Sequence, residues 1–130
     1  ARLNSANLQQ AELISAYLYQ TELYKANLMN AHLNGAYLFQ ANLVEANLIR
    51  ADFRFSNLSK ANLFRADARG ANFRGANLMQ ANLEGVDLSY ANLRGANLYK
   101  ANLERANLSH VDLSQTELQG AILSEASLKI

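Results

Sequence analysis

The sequence predicts an all-β solenoid in which the chain turns a corner within every five residues. The 130 residues divide into 26 consecutive pentapeptides without an insertion, and the third residue of the unit is Leu in 23 of them. All six glycines fall at the fifth position of a unit. Self-similarity at a fixed period indicates a stacked repeat architecture, in which each unit packs on its neighbours.

The five-residue period excludes both a regular α-helix and a straight strand. On an α-helix, five residues rotate by about 500°, so successive leucines would lie roughly 140° apart and would form no apolar stripe. On a straight strand, residues five apart point to opposite faces. A corner in each unit removes both conflicts, because the leucines can then face one common interior.

Each position of the unit has its own predicted place. The first residue is Ala in 21 units, and the second is Asn in 13 and Asp in four. With Leu at the third position, this order matches the in-out-in alternation of a short strand. The fourth and fifth residues form the bend, where Gly is typical of a turn that needs a positive φ. Other fifth residues, such as Gln40 and Arg50, must use another turn type or accept strain.

The tandem units, as in 41-ANLVEANLIR-50 and 91-ANLRGANLYK-100, resemble the pentapeptide-repeat family over the whole chain. The resemblance implies a right-handed quadrilateral β-helix with four units to each coil of 20 residues. The 130 residues would then wind about six and a half coils, a rod roughly 31 Å long at about 4.8 Å per coil. Residues 1–130 are expected to form a single domain of a longer protein.

Recurrence at the length of one coil supports this winding independently of the resemblance. Like residues lie 20 positions apart, as side chains stacked in vertical ladders favour: Arg54, Arg74 and Arg94; Tyr17 and Tyr37; Tyr19 and Phe39. In the predicted core, Phe53 and Phe73 are also one coil apart. Ala68, at a leucine position on the neighbouring side, is expected to make room for them.

Composition excludes several classes of function. Twelve Lys and Arg against 11 Asp and Glu leave a formal charge of +1, which favours neither nucleic-acid binding nor acidic mimicry of DNA. Without cysteine there is no disulfide or thiolate chemistry. No apolar run approaches the roughly 18 residues of a membrane span. A soluble segment is expected. The sequence does not identify its compartment, although the cytoplasm is favoured.

Catalytic and metal-binding residues are not brought together by the predicted winding. His32 and His110 would lie nearly four coils apart, about 19 Å along the axis, so they cannot share a metal ion. The sequence contains no nucleophile with a base in reach and no phosphate-binding glycine loop. No catalytic, cofactor or metal site is therefore predicted.

Two outer surfaces are candidate contact sites. A possible anion-contact strip consists of Arg50, Arg54, Arg69, Arg74 and Arg94. The alternative is that these arginines form ordinary surface pairs with Asp52, Asp67 and Asp87, which contribute little. A possible protein-contact surface consists of Tyr17, Tyr19, Tyr24, Tyr37, Phe39, Val44 and Phe64. The alternative is that flat ladders stack aromatic side chains along the rod without a partner.

These observations lead to a non-enzymatic scaffold that binds a protein partner or a second copy of itself. The chain resembles the pentapeptide-repeat proteins of photosynthetic bacteria, whose biochemical role is unassigned. The alternative is a modulator of DNA gyrase, because some members of the family protect the enzyme from quinolones by mimicking DNA. The balanced charge argues against that alternative and against a nucleic-acid partner, since a DNA mimic needs an acidic surface.

Overall fold

The computed structural model describes residues 1–129 as a parallel β-helix. Isolated parallel bridges join the second residue of each unit to the second residue four units later, from Arg2–Glu22 to Asn107–Ser127. Among the described residues there is no helix and no continuous strand, because every unit contributes one bridging residue and then turns. The repeat β-helix and its 20-residue spacing confirm the prediction, whereas its right hand and its number of coils stay predictions.

Every corner uses the same backbone conformation. The N–H of a unit's first residue donates to the third residue's carbonyl in the preceding unit, as from Ala46 to Leu43 at 3.0 Å. From Ser5 to Glu125 every fifth residue has a positive φ, including 58° at Gln40 and 54° at Arg50. The sequence left open whether these residues use another turn type or accept strain. They accept strain, because they keep the left-handed conformation that is typical of glycine and bear its steric cost.

The second residue of the unit completes the hydrogen bonding of the corner. The ladders between coils use the N–H groups of the second, third and fifth residues. The N–H of the fourth residue has no partner in these ladders, and it donates to the side-chain oxygen of the residue two positions earlier. Asn42 Oδ1 lies 3.0 Å from the nitrogen of Val44, and Asn77 Oδ1 lies 3.0 Å from that of Met79. This Asx-type turn explains the preference for Asn and Asp. Sequence analysis predicted only their outward direction.

First and third residues form one continuous interior. From Leu18 to Leu108 the residues at these positions are buried, most of them completely. Phe53 and Phe73 stack inside with their ring centroids 5.1 Å apart, and Ala68 is fully buried. The fourth and fifth residues, and the outward second ones, are therefore the surface on which any site must be built.

Candidate functional site

Four rings near the start of the chain form what we call the aromatic platform: Tyr17, Tyr19, Tyr37 and Phe39. The 20-residue winding places them in two stacked pairs. The centroids of Tyr17 and Tyr37 are 5.0 Å apart, and those of Tyr19 and Phe39 are 5.5 Å apart. Tyr17 is 84% exposed and Tyr19 56%. The platform is a preordered apolar surface that faces water.

The rest of the predicted protein-contact surface is more covered. Val44 and Phe64 are half-buried, as is Phe39 within the platform. Cationic side chains lie over several of these rings. Arg65 is 5.2 Å from the Phe64 centroid, and Lys60 Nζ is 6.0 Å from that of Phe39. Tyr24 stands in one column with Val44 and Phe64, and Lys25 Nζ lies 5.5 Å from the centroid of its ring.

Sequence analysis missed three exposed aromatic residues: Phe55, Tyr90 and Tyr99. Phe55 and Tyr90 occupy the fifth position of their units. Tyr90 stacks on His110, with ring centroids 4.7 Å apart. For Phe55 and Tyr90 the sequence feature that could have found them is the residue one coil later, which is the small Gly75 after Phe55 and the planar His110 after Tyr90.

Two of the five arginines in the predicted strip are neutralised locally. Arg54 and Arg69 form salt bridges of 2.7 and 2.6 Å with Asp52 and Asp67, each two residues earlier in the same unit. The hydrogen bond from Arg69 lowers the pKa of Asp67 against the opposing effect of partial burial. Partial burial would raise the pKa of Asp52, but the bonds from Arg54 outweigh it and lower that pKa. These two arginines match the alternative of ordinary surface pairs.

The other three arginines lack such a partner because their units carry no Asp at the second position. Arg74 and Arg94 follow Asn72 and Asn92, and neither arginine forms a salt bridge within the part of the chain that the structure describes. The pKa of Asp112 on the next coil is lowered by hydrogen bonds from Ser114 and also by the attraction of Arg94 for that carboxylate. Arg50 donates from Nε to the side-chain oxygen of Asn30 at 3.2 Å. The predicted strip therefore divides into two arginines that form salt bridges and three that do not.

One electrostatic cluster was not predicted. Arg105 contacts the carboxylates of Glu84, Glu104 and Glu125. Glu104 and then Glu84 are the chief causes that raise the pKa of Arg105. These residues belong to successive coils, so the cluster joins coils on the outer surface. The sequence feature that could have revealed the cluster is Glu84 and Glu104, which stand at the fourth position of their units one coil apart.

The arrangement is suited to binding. Among residues 1–129, no three His, Cys, Asp or Glu side chains lie close enough to hold a metal ion. His32 faces Glu12, with 3.6 Å between Nε2 and Oε1, whereas His110 lies against Tyr90. Over the same residues, no helix has the length and apolar character that crossing a membrane requires. The outer ladders instead present planar, apolar and cationic groups in fixed register.

A model of pentapeptide repeats matches residues 1–35, 31–67, 61–98 and 101–129. The chain is similar to HetL of Nostoc sp. strain PCC 7120, a pentapeptide repeat protein involved in heterocyst differentiation regulation. The two are 32% identical, the match covers 97% of this chain and 71% of HetL, and the TM-score is 0.60.

The chain is also similar to a pentapeptide repeat protein of the Arabidopsis thaliana thylakoid lumen. That match has 30% identity and a TM-score of 0.54, and it covers 69% of this chain and 59% of the other. The plasmid-mediated fluoroquinolone resistance protein QnrB1 matches 92% of this chain and 69% of its own at 18% identity, with a TM-score of 0.36, which supports no argument about function. No curated protein matches the chain.

Proposed function

This chain belongs to the pentapeptide-repeat family, and we propose that it is a non-enzymatic scaffold that binds a protein partner through the side-chain ladders on its outer surface. The observation that carries the proposal is the aromatic platform, in which Tyr17 is 84% exposed. Contiguous exposed apolar groups on a folded protein mark contact sites. Aromatic side chains are also enriched where proteins bind one another.

The stacking of the platform favours binding for a second reason. Each ring already has a stacked neighbour, at 5.0 Å for Tyr17 and Tyr37, so little side-chain freedom remains to be lost when a partner docks. Ordering side chains is one of the main costs of association. A ladder of rings held by the β-helix therefore presents its contact area already in place.

Arginines without a salt bridge are a second group of candidate contact residues. Arg74 and Arg94 lie one coil apart on one vertical column. The corner beside Arg94 is open at Gly95, whereas the ring of Phe55 lies over Gly75 beside Arg74. A guanidinium without a carboxylate partner is free to bind an acidic group. We propose that these two arginines bind carboxylates of the same kind of protein partner.

HetL, to which the chain is similar, is a pentapeptide repeat protein involved in heterocyst differentiation regulation. A gyrase modulator of the DNA-mimic type is not proposed, because acidic and basic side chains nearly balance at a formal charge of +1. DNA supercoiling by gyrase is expected to proceed unchanged when the purified chain is added.

The proposal is tested with the double variant Tyr17→Ser/Tyr37→Ser and the control Tyr99→Ser, which removes an exposed ring elsewhere. Affinity capture is compared among the wild type and the two variants, with sedimentation at several concentrations to detect a second copy. A partner retained by the wild type and by the control but lost by the double variant supports the platform. A partner retained equally by all three contradicts it.

A further inference from the structure

Gly70 interrupts a ladder of corner side chains and opens a notch in the outer surface. The fifth residues at this corner are Arg50, Gly70, Tyr90 and His110, each one coil after the last. The notch has a volume of about 400 Å³, and its remaining walls are formed by Met29, Ile49, Arg69 and Ser89. Small-molecule sites typically have volumes of roughly 300–1,000 Å³. The notch is thus a site of ligand size that the aromatic platform does not include.

The thickness of the notch fits one planar ring. Tyr90 and His110, on consecutive coils, already stack with their centroids 4.7 Å apart. A ring inserted at the level of Gly70 would lie about one coil spacing, roughly 4.8 Å, from Tyr90 on one side. On the other side it would lie against Arg50, whose Cγ is 3.3 Å from where a Cβ at position 70 would stand. Phenol rings and guanidinium groups both stack on aromatic faces. The inserted ring would continue the ladder that Gly70 interrupts.

Charge around the notch favours an anionic substituent near Arg50. Arg69 forms a salt bridge of 2.6 Å with Asp67, and the negative charge of Asp87 also attracts it. Its charge is therefore already compensated. Arg50 uses Nε for Asn30. Within residues 1–129 no carboxylate forms a salt bridge with its terminal nitrogens. These nitrogens are free to donate to a phosphate or carboxylate, a contact stronger than one between neutral groups.

We propose that this notch binds a small molecule whose planar aromatic ring carries an anionic group. The ring lies between Arg50 and Tyr90, and the anionic group bonds to Arg50. Ile49 and Met29 line the part of the notch that faces the preceding coils. The site is separate from the aromatic platform and does not depend on the scaffold function. Two sources share this chemistry: a nucleoside monophosphate and a simple aromatic carboxylate.

Calorimetric titration of the whole chain tests the proposal with four probes: AMP, adenosine, inorganic phosphate and indole-3-acetate. We expect AMP, indole-3-acetate or both to bind at least about tenfold more tightly than adenosine and phosphate, because stacking and charge act together. Tighter binding of AMP identifies the nucleotide as the source, and tighter binding of indole-3-acetate identifies the carboxylate. Absence of heat for both, or phosphate binding as tightly as AMP, overturns the proposal.

Filling the notch supplies the decisive variant. Gly70→Gln should abolish binding, and it should fold because Gln already occupies the same conformation at Gln40 and Gln80, with φ of 58° at both. Gly85→Gln is the matched control: an added Cβ would meet Arg65 Cγ at 3.2 Å, as it would meet Arg50 Cγ at 3.3 Å at position 70. Unchanged affinity in a folded Gly70→Gln would refute the site.

Two further variants separate the ring contact from the charge contact. Tyr90→Ala removes the stacking face and should weaken AMP and indole-3-acetate by about tenfold. Arg50→Gln should bring the affinity for AMP close to that for adenosine, because it removes the cation that distinguishes them. Full affinity in both variants would show that the ring does not lie between these residues.

Discussion

Phe53 and Phe73 lie face to face inside the β-helix, with their centroids 5.1 Å apart and their planes 4° apart. Both replace Leu at the third position of their units, and both are completely buried. A core filled to high density accepts two larger rings only where a neighbouring position is smaller. Ala68 is the one residue smaller than Leu at a third position, which leads to the first prediction.

Ala68→Leu should overpack the interior and lower the free energy of unfolding by about 1–3 kcal/mol. The measurement is urea denaturation at constant pH. The control is the double variant Ala68→Leu/Phe73→Leu, which restores the usual leucines at two sites. If Ala68 makes room for the ring, the two substitutions are coupled and the double variant regains part of the loss. Simple addition of the two effects would contradict this layering.

Asn77→Ala should destabilise the chain by about 1 kcal/mol, because the N–H of Met79 loses its acceptor 3.0 Å away. Asn77→Asp keeps an oxygen at that place and should retain most of the stability. The residues one coil away, Asn57 and Asn97, are uncharged, so the new carboxylate meets no like charge there. Equal melting temperatures for the Ala variant and the wild type would show that water replaces the side chain without loss.

Gly75→Ala should cost more than Gly95→Ala, although both residues have nearly the same φ, 66° and 69°. An added Cβ at position 75 would lie 2.5 Å from the ring of Phe55, whereas at position 95 it meets nothing closer than 4.0 Å. The shared strain of the left-handed conformation is about 1–2 kcal/mol. In a Phe55→Ala background, Gly75→Ala should lose no more stability than Gly95→Ala, as measured by thermal unfolding. If Gly75→Ala still costs more in that background, the added Cβ clashes with the backbone and not with the ring of Phe55.

Acid should remove a contribution to stability that depends on Asp67. The hydrogen bond from Arg69 holds the pKa of this carboxyl below its ordinary value, so the contribution is fully present above the unfolded pKa of about 3.9 and is lost as pH falls through the folded pKa. Arg69→Gln should raise the pKa of Asp67, as followed by carbon NMR. Arg74→Gln is the control and should leave that pKa unchanged. An unshifted Asp67 in Arg69→Gln would disprove the coupling.

Arg74→Ala and Arg94→Ala should each reduce retention of the chain on immobilised heparin more than Arg69→Ala does. All three variants lose one positive charge, but Arg69 is already bound to Asp67 at 2.6 Å and is less available to an external anion. The salt concentration needed for elution is the measure, and salt weakens all such contacts. Equal elution of the three variants would show that net charge alone decides retention.

The candidate contact surfaces were only partly predictable. The stacking of Tyr17 on Tyr37 follows from their spacing, and the pairing of Arg54 with Asp52 follows from their places in one unit. The position of Arg65 over the ring of Phe64 does not follow from the sequence. A long side chain can lean toward several neighbours, and its direction depends on what the adjacent coils leave open.

By itself, the sequence determined the corner in every unit and the buried Ala and Leu positions, because a period of five fits neither a helix nor a straight strand. The 20-residue register came from the resemblance to the family and from like residues that recur 20 positions apart. The tertiary structure decided how each outer side chain lies against the coil above and below it. Phe55 covers Gly75 while Gly70 leaves a notch beside Tyr90. That difference comes from the packing of side chains 20 residues apart, where space and charge are shared between coils.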